Sequence, residues 1–285
     1  MEPPMCAAIS CITDNCANGV VSPGLGDIPE SCVACVLNYL SPKEICNLAS
    51  LNRVFLGAAS SDAVWEGKLP QNYANLLSHI DSERYLNLPK KSIFSLLSSP
   101  IRFDDNTKAV WVDKETSGVS LSVSSKAFSI IGVKDRNHWG WVLTEESGFG
   151  LVAYFKDWFV VEGLVRFPLP AGWYAVYFRI HIGKHMRKMR RACGYEYRYG
   201  WSKLVTCEVS TSDGQKASVE AVMEEPCGWW VKYKVGDFVV SEAGTDFKVR
   251  VSMRDFVVRH RDGGLCLDSV FFHPSVYPLK DTPLI

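Results

Sequence analysis

The 285-residue sequence has no charge excess, with Lys+Arg 31 against Asp+Glu 31, and it has no Asn-x-Ser/Thr triplet, no Lys or Arg before residue 28 and no long uninterrupted apolar run. Each absence excludes something. A balanced charge gives no global field to draw in nucleic acid or an anionic membrane. Without an apolar stretch of about 18 residues, no membrane span is expected. A start free of cations has neither the basic region of a secretory signal nor the arginines of a transit peptide. The ten cysteines are too sparse for a secreted disulfide framework. Together these point to the cytoplasm or nucleus, with reduced thiols acting as small buried hydrophobes. What is abundant is apolar material: 47% hydrophobic and 12% aromatic residues, enough for a sizeable packed core.

The chain changes character twice. Residues 1 to 26 are small, polar and punctuated by Gly and Pro, a disordered lead-in by composition. From Ile28, apolar residues recur at helical spacing through Cys32, Val33, Cys35, Val36, Leu37 and Leu40. Ser41-Pro42-Lys43-Glu44 is a capping box with Pro at the first helical position, and Ile45, Leu48, Leu51 and Phe55 predict that its helix runs on to Phe55. A third helix carries Val64 and Trp65, and another helical stretch spans about Ser82 to Leu97. Pro100 and Asp104-Asp105-Asn106 mark a boundary. Beyond it β-branched and aromatic runs predict strands over 109–112, 119–123, 158–161, 173–182, 204–209, 229–235, 247–253 and 265–272. Strands without intervening helices argue for an antiparallel sandwich or barrel.

Ile28-Pro29-Glu30 with the helices that follow, as far as about Tyr73 and including Leu48 to Arg53 and Trp65, resembles an F-box. The resemblance implies docking on a Skp-type adaptor and, through it, a cullin. By it Ile28, Pro29, Cys32, Val33, Val36, Leu37, Leu40 and Ile45 face the adaptor. Some 45 residues cannot bury every apolar side chain they carry, which suits a partner's helices covering the surplus. The alternative for the same residues is the core of an ordinary helical subdomain. Cys32-Val33-Ala34-Cys35 lies within the stripe, without a second ligand pair for zinc or the strand that precedes a redox Cys-x2-Cys, so both thiols are expected to be buried and structural.

The later region, about Ala109 to Pro274, resembles the phloem protein 2 family, a plant lectin-like domain also called Nictaba-like. The pieces that carry the resemblance are Lys126 to Ile130 with Trp139-Gly140-Trp141, Asp157 to Gly163, Tyr174 to Tyr177, Trp229 to Phe238 and Gly264 to Pro274. In carbohydrate-binding members two tryptophans stack on sugar and two glutamates accept from its hydroxyls. The tryptophans fall on Gly132 and Trp139, and the glutamates near Lys248 and Asp255. Trp139 and Asp255 are thus the candidate carbohydrate-binding residues. The replacements remove a stacking face and reverse a charge, which weakens binding of N-acetylglucosamine-containing or other glycans.

Lys184, Arg187, Lys188, Arg190 and Arg191, with His181, His185 and Tyr195 to Trp201 around them, have the ingredients of a nucleic-acid surface. In an otherwise neutral chain they read as a solvated loop, and nucleic acid is not an expected partner. Glu145-Glu146 and Glu224-Glu225 are adjacent in sequence and read as solvated charges. No nucleophile elbow, phosphate loop or HExxH occurs, and neither a catalytic residue nor a cofactor or metal is expected.

The expected fold class is α+β multidomain: a small N-terminal all-α F-box followed by a mainly antiparallel β-sandwich of lectin-like jelly-roll type. Its divisions are a lead-in 1–27, F-box 28–73, helical linker 74–108, sandwich 109–275 and tail 276–285. The expected function is substrate recognition in a Skp-cullin-F-box ubiquitin ligase, with a protein or glycoprotein target. The alternative is a lectin module without a ligase role.

Overall fold

A computed structural model describes residues 24–131, 139–155, 158–182, 202–224, 230–242, 247–255 and 265–275. The lead-in before residue 24, Gly132, the basic segment Lys184 to Arg191 with His185, and the tail beyond residue 275 lie outside the described residues.

Among the described residues six short α-helices come first: α1 (Glu30–Leu37), α2 (Pro42–Leu48), α3 (Arg53–Ala58), α4 (Asp62–Glu66), α5 (Tyr73–Leu77) and α6 (Lys90–Leu97). The capping box forms: Ser41 Oγ accepts from the Glu44 amide at 3.4 Å, and Glu44 Oε2 accepts from the Ser41 amide at 2.8 Å. The Ser41 hydroxyl also donates to Glu44 Oε2 at 2.7 Å, and this bond, followed by the one from the Ser41 amide, holds the exposed Glu44 carboxyl below the usual carboxylate range. The helix expected through Phe55 is instead two. Ser50 Oγ donates back to the Asn47 carbonyl at 2.7 Å, and Asn52 Oδ1 accepts from the Phe55 amide at 3.0 Å, capping a new helix. The stretch over 82–97 also divides, into a 3₁₀ turn at Ser82–Arg84 and α6, because Pro89 cannot continue a helix but can precede one. Trp65 ties the unit together: it is buried, donates Nε1–H to the Ala59 carbonyl at 2.7 Å and lies 5.2 Å from the Phe94 ring of α6.

Thirteen strands follow among the described residues: β1 (Ile101–Phe103), β2 (Lys108–Val112), β3 (Val119–Ser124), β4 (Ser129–Ile131), β5 (Trp139–Leu143), β6 (Leu151–Phe155), β7 (Phe159–Arg166), β8 (Gly172–Ile182), β9 (Ser202–Thr211), β10 (Lys216–Glu224), β11 (Trp230–Val240), β12 (Lys248–Asp255) and β13 (Leu265–Ser275). Every expected strand is present. Helices give way to strands at Pro100, while Asp104-Asp105-Asn106, read with it as the boundary, form the turn of the β1–β2 hairpin. All three residues have positive φ (55°, 51° and 59°), which Asp and Asn tolerate better than other side chains.

The larger sheet runs β1-β2-β3-β13-β6-β5, with β8 on the other side of β13 and β11 beyond β8; the smaller runs β10-β9-β12-β7-β4. The pairings are antiparallel throughout. The fold is therefore mainly antiparallel β with a small helical N-terminus. Alternation sends Leu121, Val123, Phe178, Phe238, Phe272, Val251 and Met253 into one buried core. That core continues into the helical unit through Leu97, Ile101 and Val110. Where the two units meet, Phe103 stacks on His79 at 4.2 Å and lies 5.8 Å from Phe167, while Asn72 Nδ2 donates to the Pro168 carbonyl at 2.7 Å.

Candidate functional site

The helical unit presents an apolar surface built mainly by α1. Val33 and Leu37, four residues apart, point inward and are buried with Ile45 of α2. Cys32, Val36 and Tyr39 fall on the opposite side, with Val36 58% and Tyr39 91% exposed. Of the eight residues expected to face an adaptor, Ile28, Pro29, Cys32 and Val36 are thus at the surface and Leu40 is half-buried. Val33, Leu37 and Ile45 support the helices from inside. Their shared apolarity hid this division, because α1 is apolar on both faces. The same geometry corrects the expectation for the Cys-x2-Cys: Cys32 and Cys35 are exposed free thiols, as is Cys46, whereas Cys207 and Cys266 are buried. Burial pushes the Cys207 thiol up to about 12.

Trp139 and Asp255 stand on different sheets but at the same end of the sandwich. Trp139 of β5 pairs with Phe155 of β6, Phe155 stacks on Phe159 of β7 at 4.6 Å, and Phe159 pairs with Asp255 of β12. Trp139 is half-buried against the core and meets Trp141 edge-on at 5.5 Å, leaving Trp141 as the more exposed ring of the pair. Asp255 is fully buried. One aromatic face and one sunken carboxylate are on hand here, a weaker sugar site than a pair of each would make.

Sequence reasoning missed a polar cluster on the larger sheet. Arg179 of β8 donates Nη1–H to Asp268 Oδ2 at 2.6 Å and Nη2–H to the Glu146 carbonyl at 3.0 Å. Ser147 and Ser269 also donate to the Asp268 carboxylate. The Arg179 guanidinium lies 4.6 Å from the Trp230 ring centroid, and Trp230 Nε1 donates to Glu146 Oε2 at 2.7 Å. Glu146, expected as a solvated charge, therefore fastens the β5–β6 turn to β8 and β11. Asp268 occupies the register shift between β13 and β8, a bulge that no local sequence signal announces. His181, which borders the basic segment in the sequence, is buried beside Trp230 at 5.3 Å. Among the described residues, no group of three or more His, Cys, Asp and Glu is placed to hold a metal ion, and no helix is long and apolar enough to cross a membrane.

Residues 118–274 match the model of the family described as Phloem protein 2. The chain belongs to that family. Among phloem protein 2 relatives, it is 48% identical over 284 residues to the Arabidopsis thaliana protein named F-box protein PP2-A15, covering 95% of each chain. It is 44% identical over 271 residues to F-box protein PP2-A12 of the same plant, covering 93% of this chain and 92% of the relative. A solved carbohydrate-binding module, TmCBM61 in complex with β-1,4-galactotriose, aligns with 52% of this chain and 88% of its own at 19% identity and a TM-score of 0.31. Such a score carries no weight for function.

Within this phloem protein 2 domain, the residues at or near the family's acidic positions do not converge. Lys248 and Asp255 are seven residues apart on β12, so they point to opposite faces, about 24 Å apart along the strand. Asp255 shares the inward face of Val249, Val251 and Met253, while Lys248 lies at the strand's start, paired with Arg166 of β7.

Proposed function

We propose that this chain is the substrate-recognition subunit of a Skp-cullin-F-box ubiquitin ligase. On this reading residues 28–73 form the F-box, 74–108 a linker and 109–275 a lectin-like sandwich of jelly-roll type that selects a protein or glycoprotein. The observation that carries it is the outer face of α1 and the two residues before it, where Ile28, Pro29, Cys32 and Val36 leave apolar surface exposed although Val33, Leu37 and Ile45 are already buried inside. The F-box names of relatives that the chain covers over more than nine-tenths of their length support the same assignment. The chain itself performs no chemistry in this role. Holding a target beside a charged conjugating enzyme raises the effective concentration of its lysines. Such a receptor works in the cytoplasm or nucleus.

Affinity capture of the full chain tests the reading. Wild type should retain a Skp-type adaptor, and Val36→Asp with Tyr39→Asp should release it without altering the melting temperature. Failure of the wild type to retain any adaptor would overturn it.

A second reading, a lectin module without a ligase role, is favoured by the exposed Trp141 beside Trp139. It predicts glycan binding that Trp139→Ala abolishes, in a chain that captures no adaptor.

A further inference from the structure

The smaller sheet turns one face to solvent, and cross-strand register lays that face out in rows. In one row Lys216 of β10 pairs with Ser210 of β9, Ser210 with Arg250 of β12, and Arg250 with Leu164 of β7. Beyond it, where β12 starts and β7 ends, Lys248 pairs with Arg166. On the other side of it Ser218, Glu208, Ser252, Glu162 and Ser129 lie side by side. The alternate residues, such as Val165, Val209, Val249 and Val251, point the other way into the core. Arg166, Lys216 and Arg250 are exposed and Lys248 is half-buried, with Leu164 46% exposed among them.

Charge is sorted along this face. Glu162 and Glu208 both turn to Arg254, whose Nη2 donates to Glu162 Oε1 at 3.3 Å and lies 3.5 Å from Glu208 Oε2. Ser252 Oγ donates to Glu208 Oε2 at 3.2 Å and steadies that carboxylate. Arg250 stands diagonal to both glutamates and pairs with neither. Indeed none of Arg166, Lys216, Lys248 and Arg250 meets a carboxylate among the described residues, whereas Lys90, Lys108, Arg179, Lys234 and Arg254 each do. Arg166 and Lys248 are moreover directly opposite each other, with Cα atoms about 5 Å apart, an arrangement that repels. Surface charges of both signs are ordinarily interspersed, and a local departure from that rule without compensation is expected where a site needs it.

We propose that this end of the smaller sheet binds a short acidic segment of a target protein. Carboxylates of the segment take Arg166, Lys216, Lys248 and Arg250, and an apolar side chain between them rests on Leu164. Charge complementarity selects this occupant, and the size of the patch separates it from a polynucleotide. The four strands from β10 to β7 span about 14 Å, which matches a few residues of extended chain. A nucleic-acid backbone running further along the face would meet Glu162, Glu208 and Glu220, which repel phosphates. The patch also lies at the end of the sandwich that meets the helical unit. Arg166 immediately precedes Phe167, which lies against Phe103, and Pro168, whose carbonyl accepts from Asn72. A segment held there sits beside the unit read as the F-box. The inference rests on reading the sandwich as the part that selects a protein, and it names the chemistry selected.

Fluorescence anisotropy of the full chain with a labelled peptide of Glu and Asp around a central Leu, beside its Gln and Asn counterpart, tests the proposal. The acidic peptide should bind and the neutral one should not, and added salt should weaken the binding. Exposed ion pairs contribute little singly, so Arg250→Gln should weaken it about two- to fivefold, and Lys248→Glu with Arg250→Glu about tenfold or more. Lys248→Glu turns repulsion from Arg166 into attraction, so the melting temperature of that double variant should not fall, which separates lost binding from lost folding. Should it melt early, Lys216→Glu makes the same test on another strand. Lys232→Glu, which reverses an exposed cation of the larger sheet, should leave binding unchanged. Binding of neither peptide, equal binding of both, undiminished binding by the double variant, or tighter binding of a short RNA than of the acidic peptide would each overturn the proposal. Adaptor capture by these variants should match wild type. A wild type that binds the acidic peptide and captures no adaptor would count against the ligase reading and leave the peptide site standing.

Discussion

The Arg179 guanidinium meets the Asp268 carboxylate at 2.6 Å with the carboxylate almost wholly buried, and the same arginine covers Trp230 and binds the Glu146 carbonyl. An ion pair in this position is costly to break on one side only, because the surviving charge is left desolvated. Arg179→Met is expected to cost about 3–5 kcal/mol. The double variant Arg179→Met with Asp268→Asn should be less destabilised than the sum of the two single changes, since the pair's loss is counted once. Chemical denaturation of the four proteins of this cycle checks both statements, and strict additivity would show that the two groups do not act as a unit.

His79 sets a pH dependence at the contact between the helical unit and the sandwich. Partial burial, then the Lys108 cation, hold its imidazole below the ordinary histidine value of 6.5 while it stacks on Phe103. The folded state therefore favours the neutral ring. Its contribution is fully present above 6.5, where the unfolded chain is also neutral, and falls as the pH drops through that value toward the lower folded one. The melting temperature should decline between about pH 7.5 and 5.5, before the carboxylates titrate, and His79→Gln should flatten that slope. An unchanged slope in the variant would assign the decline to other groups.

How far the fold was legible depended on whether its cause was local. The Ser41-Pro42-Lys43-Glu44 box, and strands such as β8 and β12, carry their signal in their own residues. β10 does not: Lys216-Ala-Ser-Val-Glu-Ala-Val-Met-Glu224 is rich in helix formers, and pairing with β9 through the turn at Gly214, where φ is +95°, makes it a strand. The break between α2 and α3 was legible in Asn52 but was outweighed by the periodicity that carried on to Phe55. The candidate sites divide the same way. Aromatic identity pointed to Trp139, while the Arg179–Asp268 pair arises from register between strands that bring together residues 89 apart in sequence.

Gly163 of β7 lies directly beneath the Phe128 ring, so that a Cβ there would collide with it. Phe128 is itself buried, which leaves the ring little room to yield. Gly163→Ala should therefore destabilise by about 1–3 kcal/mol, against the usual gain from replacing a strand glycine. Pairing it with Phe128→Leu, which gives space back, should recover part of that loss. An unchanged urea midpoint for Gly163→Ala would mean that the ring repacks freely.

Val36 and Leu37 are neighbours on α1 with opposite environments, one 58% exposed and the other fully buried. Asp at each position separates surface from support. Val36→Asp adds a charge in solvent and should change stability by no more than about 0.5 kcal/mol while removing adaptor capture. Leu37→Asp buries a carboxylate without a partner and should cost on the order of 4 kcal/mol or more, so any loss of capture there would reflect unfolding of the helical unit. Melting curves recorded beside the capture experiment distinguish the two causes. Capture that survives Val36→Asp in a folded chain would move the docking surface off α1 and leave that helix's exposed apolar face to another partner.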